Sequence, residues 1–279
     1  MSTEVVEGMS YADYAARPGL RASYLAAIDS ASPGVAEYQQ AHEVDTPAMR
    51  WGSALHTMIL EPDKFASDYT IGGPVNPKTG QPFGSETKAF NEWALTQTKP
   101  ILTREEHRLI VGMADAIAAH PLARTIRDAP RKTELSLFWE LDDGTACKAR
   151  IDCLQDGVIW DIKTCRCAKK HAFHNAIMTY GYHLKAAWYL DGACRCGLVK
   201  ADVIVRWLAV ENAAPYALAI HRCGPMFLDL GHMAVERTLE TIRECQKTNV
   251  WPSAYSQDEL VMEPEPWAQA EMPDVDMGD

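Results

Sequence analysis

No stretch of this 279-residue chain approaches the ~18 consecutive apolar residues that a membrane span needs. Its opening residues Met1–Glu7 are polar and acidic where an export signal would be apolar. Neither a membrane segment nor a secretory leader is expected, and a cytoplasmic location is. Basic residues are missing from the C-terminal end: the last is Lys247, and Asp258–Asp279 holds eight acidic residues and no basic one. The formal charge of -11 is therefore concentrated in a tail, while residues 1–257 carry 27 positive and 30 negative charges. A nearly neutral body can carry a basic groove, so net charge does not exclude nucleic acid. Cysteine is absent before Cys147, and the eight present, in a long chain without an export signal, read as reduced thiols.

With 47% hydrophobic and 23% charged residues, the chain can bury one large core. Met9–Tyr69 reads as helices; Trp51, Ala54, Leu55, Met58 and Ile59 recur at helical spacing and place His56 on a helix. The Gly- and Pro-rich stretch Ile71–Phe83 reads as a loop. Thr103 and Glu106 form a capping box that opens an amphipathic helix, stopped at Pro121. The period then changes to two. Thr133–Leu141 alternates, Asp142-Asp143-Gly144 turns, Ala146–Leu154 alternates again, and Val158–Lys163 follows a second turn at Asp156-Gly157. Helices near Lys169–Thr179 and Tyr182–Leu190 follow. Then come strands near Asp202–Val210 and Tyr216–His221, and a long helix from about Pro225 to Asn249. This order predicts an α/β (mixed α+β) fold with a central mixed sheet flanked by helices and a helical N-terminal region. It gives one domain over 1–257, with a helical part at 9–121 and a sheet core at 133–249. Residues 258–279 are expected to form an acidic, flexible tail.

Asp152 lies on the second of these strands and Asp161-Ile162-Lys163 on the third. A hairpin between them brings the two carboxylates together, and the two-residue strand period places Asp161 and Lys163 on one face. Paired carboxylates repel unless a cation sits between them, and oxygen ligands favour magnesium or manganese. A lysine beside such a centre can hold or deprotonate an attacking water. An Asp-x-Lys triplet alone is common. Here Glu134 stands on the first strand, Asp152 precedes Asp161 by nine residues, and Gly52-Ser53-Ala54-Leu55-His56 lies upstream on a helix.

That ordered set resembles the RecB-like branch of the PD-(D/E)XK nuclease superfamily, and within it the RecE-type (exonuclease VIII-like) exodeoxyribonucleases of phages and prophages. The likeness runs through Tyr24-Leu25, Ser32-Pro33, Trp51–His56 and Leu60–Phe65. It continues through Glu134-Leu135-Ser136, Arg150-Ile151-Asp152, Asp161–Thr164 and Gly181-Tyr182-His183 to Tyr189. It implies a PD-(D/E)XK core in which His56, Asp152, Asp161 and the Ile162 carbonyl hold Mg2+, with Mn2+ able to substitute. Lys163 would orient the water, and Glu134 would be an acid standing behind the metal's own ligands or serving a second metal. Some RecB-like nucleases carry a cysteine-ligated iron-sulfur cluster, but those use an early cysteine and a late C-terminal group. Cys165-x-Cys167 and Cys194-x-Cys196 do not fit that spacing, and no cluster is expected.

The resemblance further implies an exonuclease that resects linear double-stranded DNA, 5′ to 3′, for a RecT-like single-strand annealing partner, working as a ring-like trimer or tetramer. The same core would also suit a structure-selective endonuclease, or a catalytically inactive DNA-binding module. Arg124, Arg127, Arg131, Lys132, Lys148, Arg150, Arg166, Lys169 and Lys170 cluster near the catalytic strands and are expected to track phosphates. Tyr182, Lys185 and Tyr189 share a helical face, also expected to meet DNA. Lys185 stands where related sequences usually have glutamine.

Overall fold

In a computed structural model of the chain, residues 2–42, 46–200, 202–256 and 258–262 are described. The chain opens with a strand, β1 (Thr3–Val6), followed by α1 (Tyr11–Ala16), α2 (Ala22–Ser30), α3 (Pro33–Ala41), α4 (Pro47–Leu60) and α5 (Pro62–Asp68). Their starts are written locally. The side chains of Ser10 and Thr46 accept the N–H groups of Asp13 and Met49, and proline opens α3, α4 and α5. Then come β2 (Thr70–Ile71), α6 (Lys88–Ala94), β3 (Ile101–Leu102), α7 (Arg104–Ala119) and α8 (Thr125–Asp128). The Thr103/Glu106 capping box is formed in both directions.

The sheet follows: β4 (Lys132–Glu140), β5 (Ala146–Gln155) and β6 (Val158–Cys165), then α9 (Lys170–Thr179) and α10 (Tyr182–Arg195). β7 (Ile204–Glu211), β8 (Leu218–Arg222) and α11 (Pro225–Thr248) complete it. The six strands lie in the order β1-β4-β5-β6-β7-β8. All neighbours are antiparallel except β6 and β7, which the α9–α10 crossover makes parallel. The expected mixed sheet flanked by helices is therefore present. Five elements were not expected: the edge strand β1, the paired two-residue strands β2 and β3, and the short helices α6 and α8.

Each sheet face has its own core. On one, Leu135, Leu137, Trp139, Ile151 and Trp207 pack with Leu25, Phe173 and Trp188 from the helices α2, α9 and α10. On the other, Cys153, Trp160, Ile162 and Leu208 pack with Leu55, Ile59, Ile110 and Met113 from α4 and α7. Ile151 and Cys153 should point the same way on a regular strand, two residues apart. They lie in opposite cores, so the pleat breaks at Asp152. Between the Thr133–Cys153 and Leu135–Ile151 pairs the β4–β5 register skips Glu134 and Asp152, and Glu134 has a φ of 49°. Left-handed backbone inside a strand is costly for a residue with a side chain, and it turns Glu134 out of the ordinary alternation.

The expected tail at 258–279 lies mostly outside the described residues. Among the described residues no helix is long and apolar enough to cross a membrane. All eight cysteines are free thiols, and burial pushes those of Cys147 and Cys153 up to about 12.

Candidate active site

The β5–β6 pairing ends at Cys153–Trp160, one step before Asp152 and Asp161 would face each other. Beyond that point the Asp152 side chain replaces the ladder: its Oδ2 accepts the backbone N–H of Ile162 at 2.7 Å. The Ile162 carbonyl lies 3.1 Å from Nε2 of His56, which α4 delivers from the opposite layer. That nitrogen is 3.6 Å from Oδ2 of Asp152, and His56 Nδ1 is 3.8 Å from Oε1 of Glu134. One donor atom from each of His56, Glu134 and Asp152 lies within 4.8 Å of the others.

Asp161 is 2% exposed. Its Oδ1 accepts from Lys163 Nζ at 2.5 Å, and its buried Oδ2 has no protein partner. A buried carboxylate oxygen without a donor is costly in a folded protein. The imidazole of His56, the carboxylates of Glu134 and Asp152 and the Ile162 carbonyl, with the Asp161 carboxylate near enough to act on Asp152, fit a hard divalent cation of the Mg2+ or Mn2+ kind. The donors gathered most closely differ from the expected set in one respect: Glu134 stands with His56 and Asp152, while Asp161 is drawn to Lys163.

The electrostatics agree with a cation site. Burial raises the Asp152 carboxyl to about 6, with Asp161 adding to the push and His56 opposing it. Burial disfavours the His56 imidazolium, yet Asp152 and Glu134 outweigh it and lift the group to about 9. Glu134 is buried too, but His56 and Arg150 hold it below the usual carboxylate range. Burial also works against the Lys163 ammonium, and Asp161 with Asp152 outweighs that, so Lys163 stays charged.

His56, Glu134, Arg150, Asp152 and Lys163 line a cleft of about 710 Å³, and the buried Asp161 stands outside its lining. Its walls come from α1 and α2 on one side, with Tyr11, Tyr14 and Arg21, and from α4 and α5 on the other, with Thr57, Lys64 and Asp68. Lys185 and Tyr189 reach it from α10. Lys163 and Lys185 both approach the Tyr182 ring, with Nζ 5.3 and 5.4 Å from its centroid. Burial, with Lys163 nearby, lowers the Lys185 ammonium to about 8.

Other expected DNA contacts are placed differently. Lys148 is buried, and its Nζ donates to the carbonyls of Tyr14, Ala15 and Arg17 at 3.1, 3.1 and 2.5 Å. It closes the C-terminal end of α1 and has no reach to a phosphate. Arg150 lines the cleft, but its guanidinium is held by Glu134 Oε2 at 2.6 Å, the Met9 carbonyl at 2.9 Å and Ser136 Oγ at 3.1 Å. Arg166 is exposed beyond β6 and is not part of the cleft lining. Arg124, Arg127, Arg131, Lys132, Lys169 and Lys170 also lie outside that lining. Arg21 and Lys64 are in it and were not among the expected DNA contacts; Lys64 stands in the Leu60–Phe65 stretch of the resemblance, and the packing of α2 and α5 brings both to the cleft.

No curated protein matches the chain. A crystal structure named "Putative exonuclease" from Eubacterium rectale superposes with a TM-score of 0.62 at 13% identity, over 95% of this chain and 98% of that one. A second solved structure, SSO0001, shares 13% identity over 55% of this chain and 79% of its own, with a TM-score of 0.29. The first likeness is one of fold. The family described as "PDDEXK-like domain of unknown function (DUF3799)" matches residues 23–262, and the chain belongs to it.

Proposed function

We propose that this protein is a divalent-metal-dependent nuclease that digests linear double-stranded DNA from its ends. The observation that carries the reading is the meeting of His56, Glu134 and Asp152 at the break in β5, beside the partnerless Asp161 oxygen and the charged Lys163. A bound Mg2+ or Mn2+ supplies positive charge to the phosphoryl oxygens and acidifies water. His56, Asp152, Asp161, Glu134 and the Ile162 carbonyl are the groups that would hold it. Lys163, kept protonated, acts as a donor that orients the attacking water and faces the charge growing on the phosphate. Lys185 and Tyr189 line the cleft that would take the strand, with Lys185 a point charge for a phosphate, while Tyr182 is outside the lining and meets the ammonium groups of Lys163 and Lys185.

The end-directed, 5′ to 3′ reading, the supply of single strands to a RecT-like annealing partner and the ring-like trimer or tetramer rest on the sequence resemblance. A groove held by screened phosphate contacts alone releases its substrate often, and encirclement by a closed assembly answers that. End-labelled linear duplex and closed circular DNA, each with Mg2+, test the reading. Loss of the linear duplex with the circle intact is expected. Cutting of the circle would mean an endonuclease, and no cutting of either would mean a binding module.

A further inference from the structure

The α1 wall of the cleft carries an aromatic ring that the core leaves exposed. Tyr11, the first residue of α1, lines the cleft and is 59% exposed. Its ring stands 6.2 Å from that of Tyr14, one turn on, which is buried. The Arg150 guanidinium lies 6.0 Å from the Tyr14 ring and donates to Glu134 at 2.6 Å. A line of contacts thus joins Tyr11 through Tyr14 and Arg150 to an acid of the metal site. The helix beneath the ring is held at both ends. Ser10 accepts the N–H of Asp13, and Lys148 donates to the carbonyls of Tyr14, Ala15 and Arg17. A ring on so fixed a support loses little freedom when a ligand stacks on it.

The same cleft holds Lys185, whose ammonium meets the Tyr182 ring and forms no ion pair among the described residues. A cation for the phosphates and a flat ring for a base are the combination that binds single-stranded nucleic acid. The cleft volume of about 710 Å³ falls within the roughly 300–1,000 Å³ of sites that enclose a small molecule, which is room for a short length of one strand. A base inside a duplex has both faces covered by its neighbours, so a ring in the cleft can stack only on one that has left the stack.

We infer that Tyr11 is a stacking residue for an unpaired base, and that the strand enters the cleft singly, parted from its complement before it is cut. The inference rests on the nuclease reading of the cleft and deepens it: what meets the metal is a single strand even where the polymer supplied is a duplex. Every base has a flat face, so the contact sets no sequence preference. Tyr11 precedes residue 23, where the family match begins, and that match gives it no role.

Binding of a labelled single strand of roughly 12 nucleotides to the full chain, read by anisotropy in EDTA at low salt, tests this. Tyr11→Ala and Tyr11→Leu should each weaken binding about tenfold, the order that stacking one base is worth, while Tyr11→Phe should match the parent. A strand of equal length built of abasic residues keeps the phosphates, and it should bind the parent and all three variants alike. Melting temperatures should not move, because the side chain is largely exposed. Unchanged affinity of Tyr11→Ala for the base-bearing strand would overturn the stacking contact, and so would a loss of equal size on the abasic strand. Parent-like affinity in Tyr11→Leu would overturn it too, since bulk without a ring would then suffice. A parent protein that leaves DNA uncut in Mg2+ and Mn2+ would instead overturn the nuclease reading, and the affinity series would still report on Tyr11.

Discussion

The carboxylate of Asp152 accepts the N–H of Ile162, and the carbonyl of the same Ile162 faces His56. One residue's backbone thus ties the acid of β5 to the imidazole of α4. Asp152→Ala should abolish metal binding and cleavage. It should also lower the melting temperature, because a buried N–H left unbonded costs about 1–3 kcal/mol. Asp152→Asn keeps an acceptor for that N–H, so it should recover most of the stability and none of the metal binding. Calorimetric Mn2+ titration beside thermal melts separates the two effects, and strong metal binding by either variant would remove Asp152 from the site.

Lys163 and Asp161 form a pair that is 18% and 3% exposed at the side chains. Lys163→Ala should cut the rate by about 10²–10⁴-fold. It should also destabilise the fold by roughly 3–5 kcal/mol, since Asp161 keeps a buried charge without its partner. The double variant Asp161→Asn/Lys163→Met should restore the melting temperature and remain inactive. A double variant no more stable than Lys163→Ala would show that the pair does not carry this cost.

Arg150 holds Glu134 through Nε, while its Nη1 is taken up by the Met9 carbonyl and Ser136 Oγ, so the structure gives it the role of positioning Glu134. Arg150→Ala should reduce cleavage and metal affinity by freeing Glu134, with the salt dependence of DNA binding unchanged. A salt slope flattened by roughly one charge would instead make Arg150 a phosphate contact.

Metal affinity should depend on pH through His56, whose pKa is lifted from 6.5 to about 9 against its burial by Asp152 and Glu134. The protonated imidazole stabilises the metal-free fold fully below pH 6.5, and that contribution is lost as pH rises through about 9. A cation competes for the same ring, so apparent affinity for Mn2+ should climb by about tenfold per pH unit across that window and then level off. Asp152, raised to about 6, adds a second proton to displace at the acid end. Affinity that is flat over this range would place His56 outside the metal site.

Much of this was legible in the sequence because it depends on local period. The alternation of β4 and β5, the turns at Asp143-Gly144 and Asp156-Gly157 and the capping box of α7 are short-range patterns, and the fold follows them within a residue or two. The juxtaposition of Asp152 with Asp161-x-Lys163 follows from the same hairpin. What was not legible depends on contacts between distant segments. β1 is only four residues, Thr-Glu-Val-Val, too short for its alternation to be read, and it pairs with the β4 edge. Lys148 and Arg150 read as groove cations until α1 and Met9, more than a hundred residues earlier, take up their hydrogens. The left-handed turn of Glu134 has no sequence signal, since glutamate is a poor choice for that backbone.

Residues 1–22 lie outside the family match, yet Thr3–Ala22 are built into the half of the molecule that carries the cleft. β1 covers the β4 edge, Met9 binds Arg150, and the end of α1 satisfies the buried Lys148. A recombinant fragment started at the matched boundary would expose an unpaired strand edge, a setting for aggregation, and strand an ammonium in the interior. Any affinity tag or fusion at this end needs to leave Thr3 onward intact, because the amino terminus here is a structural wall of the cleft and not a handle.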